Sequence, residues 1–446
     1  MTNVQRKDNK RTRVFKYHPG EIMIRLIEAL NYRCLSYIRQ PLETFQVLIG
    51  PNASGKTTFL DVPAFLSDLL SQGLDDAVTS RASDINDLFF FGKGGRFELA
   101  VALEIPKARA DMLNQDQPPQ YVRYEISIGL DSQTDAISIF DEQVILEQKQ
   151  LRTQEPIQHA IFPMTVDPPR TIMHGIKVGA GKKRVLRKVY NGNDNYYAET
   201  QTKKGKGGWA PSYPLGPRKS ALANMPDDER KFPVSTWLRE ILINGTQKLM
   251  LNSMVLRQAS RPGQGRLFKP DGSNLPWVIH ELRENDDERY KQWVALLQTA
   301  LPDIQNVTTV ELPDTRHRFL QIVYRDGLKV PSWTASDGTL RMLALTLPAF
   351  LKDFEGIYLI EEPENGIHPM AMETVFQALR SVYGAQILLA THSPVILGCS
   401  QVEDVLCFKK ADNGATDVVS GPDHPELRKW KGSLNLSELY ASGVLG

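Results

Sequence analysis

Gly50, Gly55, Lys56 and Thr57, within the run Gly50-Pro51-Asn52-Ala53-Ser54-Gly55-Lys56-Thr57-Thr58, have the types and spacing that can hold a chain of phosphates. Glycines let the backbone take positive φ and approach an anion, so that successive N–H groups point at it. The lysine can neutralise β- and γ-phosphate oxygens, and the hydroxyl after it can ligate Mg²⁺. Three further groups lie far downstream. Glu361 and Glu362 end the apolar run Ile357-Tyr358-Leu359-Ile360, His392 follows Gln386-Ile387-Leu388-Leu389-Ala390, and Ser336-Asp337-Gly338-Thr339 precedes the helical stretch from Leu340 to Leu345.

These groups need particular elements to bring them together. Phe45-Gln46-Val47-Leu48-Ile49 reads as a buried parallel strand, and the apolar spacing from Ala64 to Leu70 reads as a helix, so the glycine loop sits at a strand-to-helix turn. A helix N-terminus there adds its positive end to the phosphate cradle. The other two apolar runs also read as parallel strands, which place Glu361, Glu362 and His392 at the carboxyl edge where α/β sheets bind ligands. In that setting Glu361 is expected to hold the metal with Thr57, and Glu362 to polarise the attacking water. His392 is expected to hydrogen-bond the γ-phosphate. Ser336 and Gly338 read either as an ordinary N-cap or as a second anion site. One chain cannot easily put both anion sites on one γ-phosphate, so the second reading implies a homodimer, or a higher even-numbered oligomer, closed across ATP.

The ordered set resembles the ATP-binding-cassette (ABC) ATPase heads. Within them it is similar to the soluble branch containing RecF, the structural-maintenance-of-chromosomes heads and the OLD (overcoming-lysogenisation-defect) ATPases. The segment Leu26 to Leu35 resembles the branch's opening strand and N-[FY]-[RK] turn. The run from Glu361 to Pro369 resembles its E-E-P-E-N-x-[IL]-H-P stretch, and Lys269 to Leu275 and Ser336 to Arg341 resemble its "DGxNL" and "SDGT" segments. The resemblance implies an α/β P-loop NTPase fold with a mixed or parallel core sheet, an antiparallel side sheet and a helical or loop insertion. It also implies nucleotide-driven dimerisation and a DNA or nuclease partner. OLD nucleases carry a Toprim domain after the ATPase. Here about fifty residues follow His392, with only scattered acids such as Asp404, Asp412 and Asp417, so any nuclease or toxin effector is expected on a separate polypeptide.

Composition is that of an ordinary globular chain: 446 residues, 41% hydrophobic and 24% charged, with a net charge of +1. No apolar stretch approaches the roughly eighteen residues that span a bilayer, and no signal-like core follows the basic N-terminus, so a cytoplasmic enzyme without a membrane partner is expected. Three cysteines without C-x-x-C spacing fit a reducing compartment, and the eight scattered histidines argue against zinc.

The charge is uneven. From Lys177 to Lys219 the chain carries eleven Lys or Arg against Asp194 and Glu199, interleaved with Tyr190, Tyr196, Tyr197 and Trp209. Lys182, Lys183, Arg184, Arg187, Lys188, Lys203, Lys204 and Lys206 could therefore grip a nucleic-acid backbone, or belong to a solvated loop. Gly179-Ala180-Gly181-Lys182-Lys183 imitates a phosphate loop but lacks the first glycine and the hydroxyl.

The expected organisation is a basic disordered arm over 1–21, a first ATPase lobe over 22–150, an insertion over 151–255 and a second lobe over 256–446. Strands are expected at 97–103, 121–128 and 136–139, and a helix over 237–254. The functional expectation is a Mg²⁺-dependent ATPase acting as sensor or motor subunit in bacterial DNA maintenance or antiphage defence. Two alternatives remain: an ATP-locked, antitoxin-like scaffold restraining a toxic partner, and the nucleotide-binding subunit of a transporter.

Overall fold

A computed structural model describes residues 23–148, 161–200, 211–265, 267–352, 354–429, 436–443 and 445. The expected N-terminal arm lies outside them. The chain opens with β1 (Ile24–Tyr32), β2 (Leu35–Pro41) and β3 (Phe45–Ile49), then enters the helix Lys56–Ser71. It continues through β4 (Arg96–Glu104), β5 (Tyr121–Leu130), β6 (Ile137–Glu147), β7 (Lys182–Val189), β8 (Asp194–Tyr196) and β9 (Ser212–Tyr213). After β10 (Thr246–Leu249) come β11 (Ile304–Glu311), β12 (Arg318–Tyr324) and β13 (Lys329–Pro331). The last four are β14 (Gly356–Glu361), β15 (Ala385–Ala390), β16 (Val405–Lys410) and β17 (Thr416–Ser420).

They form three sheets. The central one has the order β10-β14-β15-β3-β16-β17, parallel except for the antiparallel edge strand β17. An eight-stranded side sheet runs β2-β1-β4-β5-β6-β7-β8-β9 and is antiparallel throughout, and β11 to β13 make a small antiparallel sheet. The expected α/β architecture, with a largely parallel core and an antiparallel side sheet, is therefore present.

Strand alternation decides the layers, because successive side chains point to opposite faces. Leu48, Leu359, Leu388 and Phe408 pack with Phe59 and Phe65 of the first helix and with the side sheet. Val47, Ile49, Tyr358, Ile360, Ile387 and Leu389 point the other way, into a second core with the helices Leu275–Asn285, Asp287–Ala300, Asp337–Thr346 and Pro369–Arg380. Both faces of the central sheet are thus buried, which is why its strands read as continuous apolar runs. A buried glutamine fastens the sheets together: Gln386 on β15 accepts from the Ile24 N–H at 2.9 Å and donates to the Ile24 carbonyl at 3.0 Å.

Register then sets the site. Glu361 pairs with Ala390 and Ala390 with Leu48, so β14, β15 and β3 end side by side. The residues that follow them (Glu362, Thr391 and the Gly50 loop) meet along one edge.

Two expectations change. The 237–254 helix is instead a helix at Pro233–Glu240, a π turn at Ile241–Gly245 and the strand β10. Asn244-Gly245 breaks the helical run, and Thr246–Leu249 pairs with Ile357–Ile360 at the open edge of the central sheet. The described part of the 151–255 insertion also does not stand apart: β7, β8 and β9 extend the side sheet, and β10 joins the core.

Candidate active site

The phosphate loop has the backbone its sequence demands. Gly50, Ala53 and Gly55 have φ of 147°, 61° and 105°. A Cβ on Gly50 would stand 2.1 Å from the Phe408 carbonyl oxygen, and one on Gly55 would stand 2.4 Å from Thr416 Oγ1. Thr416 on β17 holds the loop from behind, donating to the Ser54 carbonyl at 2.9 Å. Gly55 caps the helix Lys56–Ser71 without a side-chain bond, which leaves its first N–H groups available to an anion. Pro51, Asn52 and Ala53 form the exposed rim, while Thr58 is buried and accepts from Cys34 Sγ at 3.3 Å.

Lys56 folds back onto its own loop. Its Nζ donates to the Gly50 carbonyl at 2.7 Å and to the Pro51 carbonyl at 2.9 Å. Burial lowers its pKa to about 8, against the opposing pull of Glu362, Glu364 and Glu361. Ser54 Oγ is buried without a hydrogen-bond partner. An orphaned hydroxyl and a lysine resting on carbonyls both fit a loop built for phosphate oxygens.

The acidic strand end comes to this loop. Thr57 Oγ1 donates to Glu361 Oε2 at 2.7 Å, across 304 residues of sequence. Lys248, at the end of β10, pairs with the other oxygen of Glu361 at 2.8 Å. A hydroxyl and a carboxylate in contact beside a phosphate loop match the oxygen ligands that Mg²⁺ prefers, so these residues fit the metal. Glu362 has the rare φ of 45° and accepts from Asn365 Nδ2 at 2.7 Å. Strained backbone of this kind persists where the surrounding structure over-determines it, often at functional sites. His392 Nε2 lies 3.9 Å from Glu362 Oε1. Burial, with the Lys56 ammonium adding to it, lowers the His392 pKa against the opposing pull of Glu362 and Glu364. Glu364 ties the two strand ends together, accepting from Thr391 Oγ1 at 2.7 Å and from the His392 N–H at 2.8 Å.

Ser336 stands at the N-terminus of the helix Asp337–Thr346, exposed, with its hydroxyl accepting from the Thr339 N–H at 3.2 Å. Gly338 lies against the loop after the acidic pair, since a Cβ there would be 2.5 Å from the Gly366 carbonyl oxygen. Asp337 is bound by Arg341 at 3.2 Å and Arg257 at 3.5 Å.

The basic stretch is not part of this constellation. Lys182, Lys183, Arg184, Arg187 and Lys188 lie on β7, and four of them have hydrogen-bond or ion-pair partners within the fold. Lys182 pairs with Glu147 at 2.9 Å, Lys183 donates to the Glu199 carbonyl at 2.9 Å, and Arg184 donates to Gln143 at 2.7 Å. Arg187 faces Asp141. Lys188 is 2% exposed and bound to Asp194 at 2.9 Å, so it is no surface cation. Lys188 is therefore no nucleic-acid contact, and the run is a strand of the side sheet with Lys182, Lys183, Arg184 and Arg187 half-buried on it. Lys203, Lys204 and Lys206 lie outside the described residues.

Four residues escaped the sequence reading. Lys248 carried no signal, because its segment reads as helix. Thr416 is one hydroxyl on an unremarkable edge strand, and Glu364 looks like a solvated turn acid. Tyr440 Oη, from the helix Leu436–Ala441, lies 3.2 Å from His392 Nδ1 and 3.3 Å from the Gly50 carbonyl, contacts that only folding creates.

No helix among the described residues is long and apolar enough to cross a membrane. In structure, the chain is similar to an Smc head bound to the C-winged helix domain of ScpA. That match covers 89% of this chain and 96% of the other at 11% identity, with a TM-score of 0.50, and shows a shared fold. An Smc head with an extended coiled coil, bound to the C-terminal domain of ScpA derived from Pyrococcus furiosus, covers the same shares at 11% identity and a TM-score of 0.48. The SMC head domain from Thermotoga maritima covers 89% and 98% at 8% identity and a TM-score of 0.41. In sequence, residues 45–134 and 207–398, more than half of the chain, match the family described as "AAA domain, putative AbiEii toxin, Type IV TA system". The phosphate loop, the acidic strand end and His392 all fall inside the matched residues, and the chain belongs to this AAA-domain family.

Proposed function

We propose that this chain binds Mg·ATP on the Lys56 loop and hydrolyses it between two copies of itself. The observation that carries the reading is the 2.7 Å hydrogen bond from Thr57 to Glu361, which joins phosphate loop and acidic strand end into one site. Lys56 leaves the Gly50 and Pro51 carbonyls to take phosphate oxygens, and Ser54 and the free helix N–H groups complete the cradle. Mg²⁺ held by Thr57 and Glu361 supplies charge neutralisation on the phosphates. Glu362, next to that pair and fixed by Asn365, orients the attacking water, while His392 contacts the γ-phosphate from the neighbouring strand end. Ser336 of a second copy closes the site.

Exposed apolar side chains support a partner on the Ser336 face. Trp333 is 51% exposed just before Ser336, and Met254 is 68% exposed beside Ser253, which accepts from Arg341 of the Ser336-capped helix at 3.3 Å. Met370, 81% exposed, follows the loop that touches Gly338.

The biological role we infer is a sensor or motor subunit, in DNA maintenance or antiphage defence, coupled to a separately encoded nuclease or toxin. The family's description names a toxin–antitoxin system, which keeps a second form of the reading in play, in which ATP locks an assembly that restrains a toxic partner. Glu362→Gln tests both. Turnover is expected to vanish while an ATP-bound dimer accumulates by light scattering, whereas Lys56→Ala loses ATP binding. Normal hydrolysis by Glu362→Gln overturns the catalytic assignment. Loss of turnover with full protection in cells selects the restraint form.

A further inference from the structure

Tyr440 belongs to a short C-terminal helix that none of the chemistry above requires, yet its hydroxyl is wedged into the site. It lies 3.3 Å from the Gly50 carbonyl, the first residue of the phosphate loop, and 3.2 Å from His392 Nδ1. The helix is anchored by buried Leu436 and Leu439, and it packs on the helix Pro394–Cys399 that follows His392. We propose that Tyr440 is a positioning residue: it fixes the His392 ring so that Nε2 faces Glu362 and the γ-phosphate, and it couples the C-terminal helix to the nucleotide state. The proposal rests on the reading of His392 given above.

The available donors and acceptors fix the direction of these bonds. A tyrosine hydroxyl has one proton to give, and its oxygen can also accept. The Gly50 carbonyl can only accept, and at rest it already takes the Lys56 ammonium at 2.7 Å. The Tyr440 hydroxyl already donates to this carbonyl at 3.3 Å beside Lys56, and it keeps the carbonyl paired when Lys56 moves onto phosphate. Its oxygen is then left to accept from His392 Nδ1–H. With Nδ1 carrying a proton, Nε2 can donate to a phosphate only from the imidazolium. Burial first and the Lys56 ammonium second lower the His392 pKa, while Glu362 and Glu364 favour the cation, so the move of Lys56 onto phosphate removes one of the two influences against the imidazolium. Tyr440 thus ties the Gly50 carbonyl, which Lys56 shares at rest, to Nδ1 of the His392 ring.

The test compares Tyr440→Phe, which keeps the ring and its packing, with wild type and His392→Ala, following steady-state ATP turnover from pH 6 to 9 and binding of a fluorescent ATP analogue. Tyr440→Phe is expected to lower kcat about fivefold while KM and analogue affinity stay within about twofold. It should also move the alkaline limb of the kcat profile to lower pH, because the imidazolium has lost its acceptor. Unchanged kcat and an unchanged pH profile overturn the proposal if His392→Ala is impaired. A harmless His392→Ala overturns the γ-phosphate reading itself. Parallel losses of kcat, analogue affinity and melting temperature in Tyr440→Phe would reduce the residue to a packing role, which also refutes the inference.

Discussion

Gly50→Ala tests the idea that the phosphate loop is shaped by backbone contact. The added Cβ would sit 2.1 Å from the Phe408 carbonyl oxygen and 2.9 Å from Ser54 Oγ, at a φ of 147° that alanine rarely adopts. The carbonyl belongs to β16, where Phe408 pairs with Val418 of β17 one residue beyond the Cys407–Ile49 pair with β3, so it gives way less readily than the loop. Backbone strain of this kind costs about 1–3 kcal/mol, and overpacking adds about 1–3 kcal/mol. Even the lower sum, about 2 kcal/mol taken from the phosphate-binding conformation, weakens ATP binding about thirtyfold. Gly73→Ala is the internal control: its φ is 101°, but nothing lies within 4 Å of the new Cβ. It should cost about 1–3 kcal/mol of stability, measured by denaturant melts, with ATP affinity untouched. Equilibrium binding of ATP by calorimetry decides the matter. A folded Gly50→Ala protein that binds ATP within about twofold of wild type would refute the steric argument.

Two further expectations concern charge. Lys56 has a pKa lowered from 10.5 to about 8, so in free protein the amine loses its proton above that pH, and ATP must draw one back. ATP affinity in EDTA should hold to about pH 8 and fall about tenfold by about pH 9, with net proton uptake seen when buffers of different ionisation enthalpy are compared. Folding responds with the opposite sign: the native state holds fewer protons than the unfolded chain between about 8 and 10.5, so this group's contribution to stability rises across that window. Absence of proton uptake at pH 9 would contradict the assignment, and Lys56→Arg should bind with no such pH dependence. Lys248→Met removes the ammonium that sits 2.8 Å from Glu361. For a partly exposed pair this is worth about 1 kcal/mol, so nucleotide-free Mn²⁺ binding followed by electron paramagnetic resonance should tighten roughly fivefold; weaker binding would show instead that Lys248 holds Glu361 in place for the metal.

The phosphate loop, the acidic pair, the histidine and the parallel strands that end in them were legible because each is a local pattern. Five residues of apolar run followed by a glycine turn need no distant partner to be recognised. The same locality misled at β10, where a stretch with helical spacing became an edge strand because β14 offered it an unpaired ladder. At β7 it left two readings open, a nucleic-acid surface or a solvated loop, and the run is a strand of the side sheet. A count of lysines and arginines does not say which way a strand's side chains point, nor that Asp194, Glu147 and Asp141 wait opposite.

By itself the sequence determined the chemistry that is possible here: which groups can hold phosphate, metal and water, and that they stand at the ends of buried strands. Only the tertiary structure decided which groups touch. The strand order that sets β14 and β15 beside β3 brings Glu361 within 2.7 Å of Thr57, and a C-terminal helix brings Tyr440 to His392. The physical reason is that propensity and periodicity act over a few residues, whereas these contacts follow from burying both faces of one sheet, a condition met only by the whole chain at once.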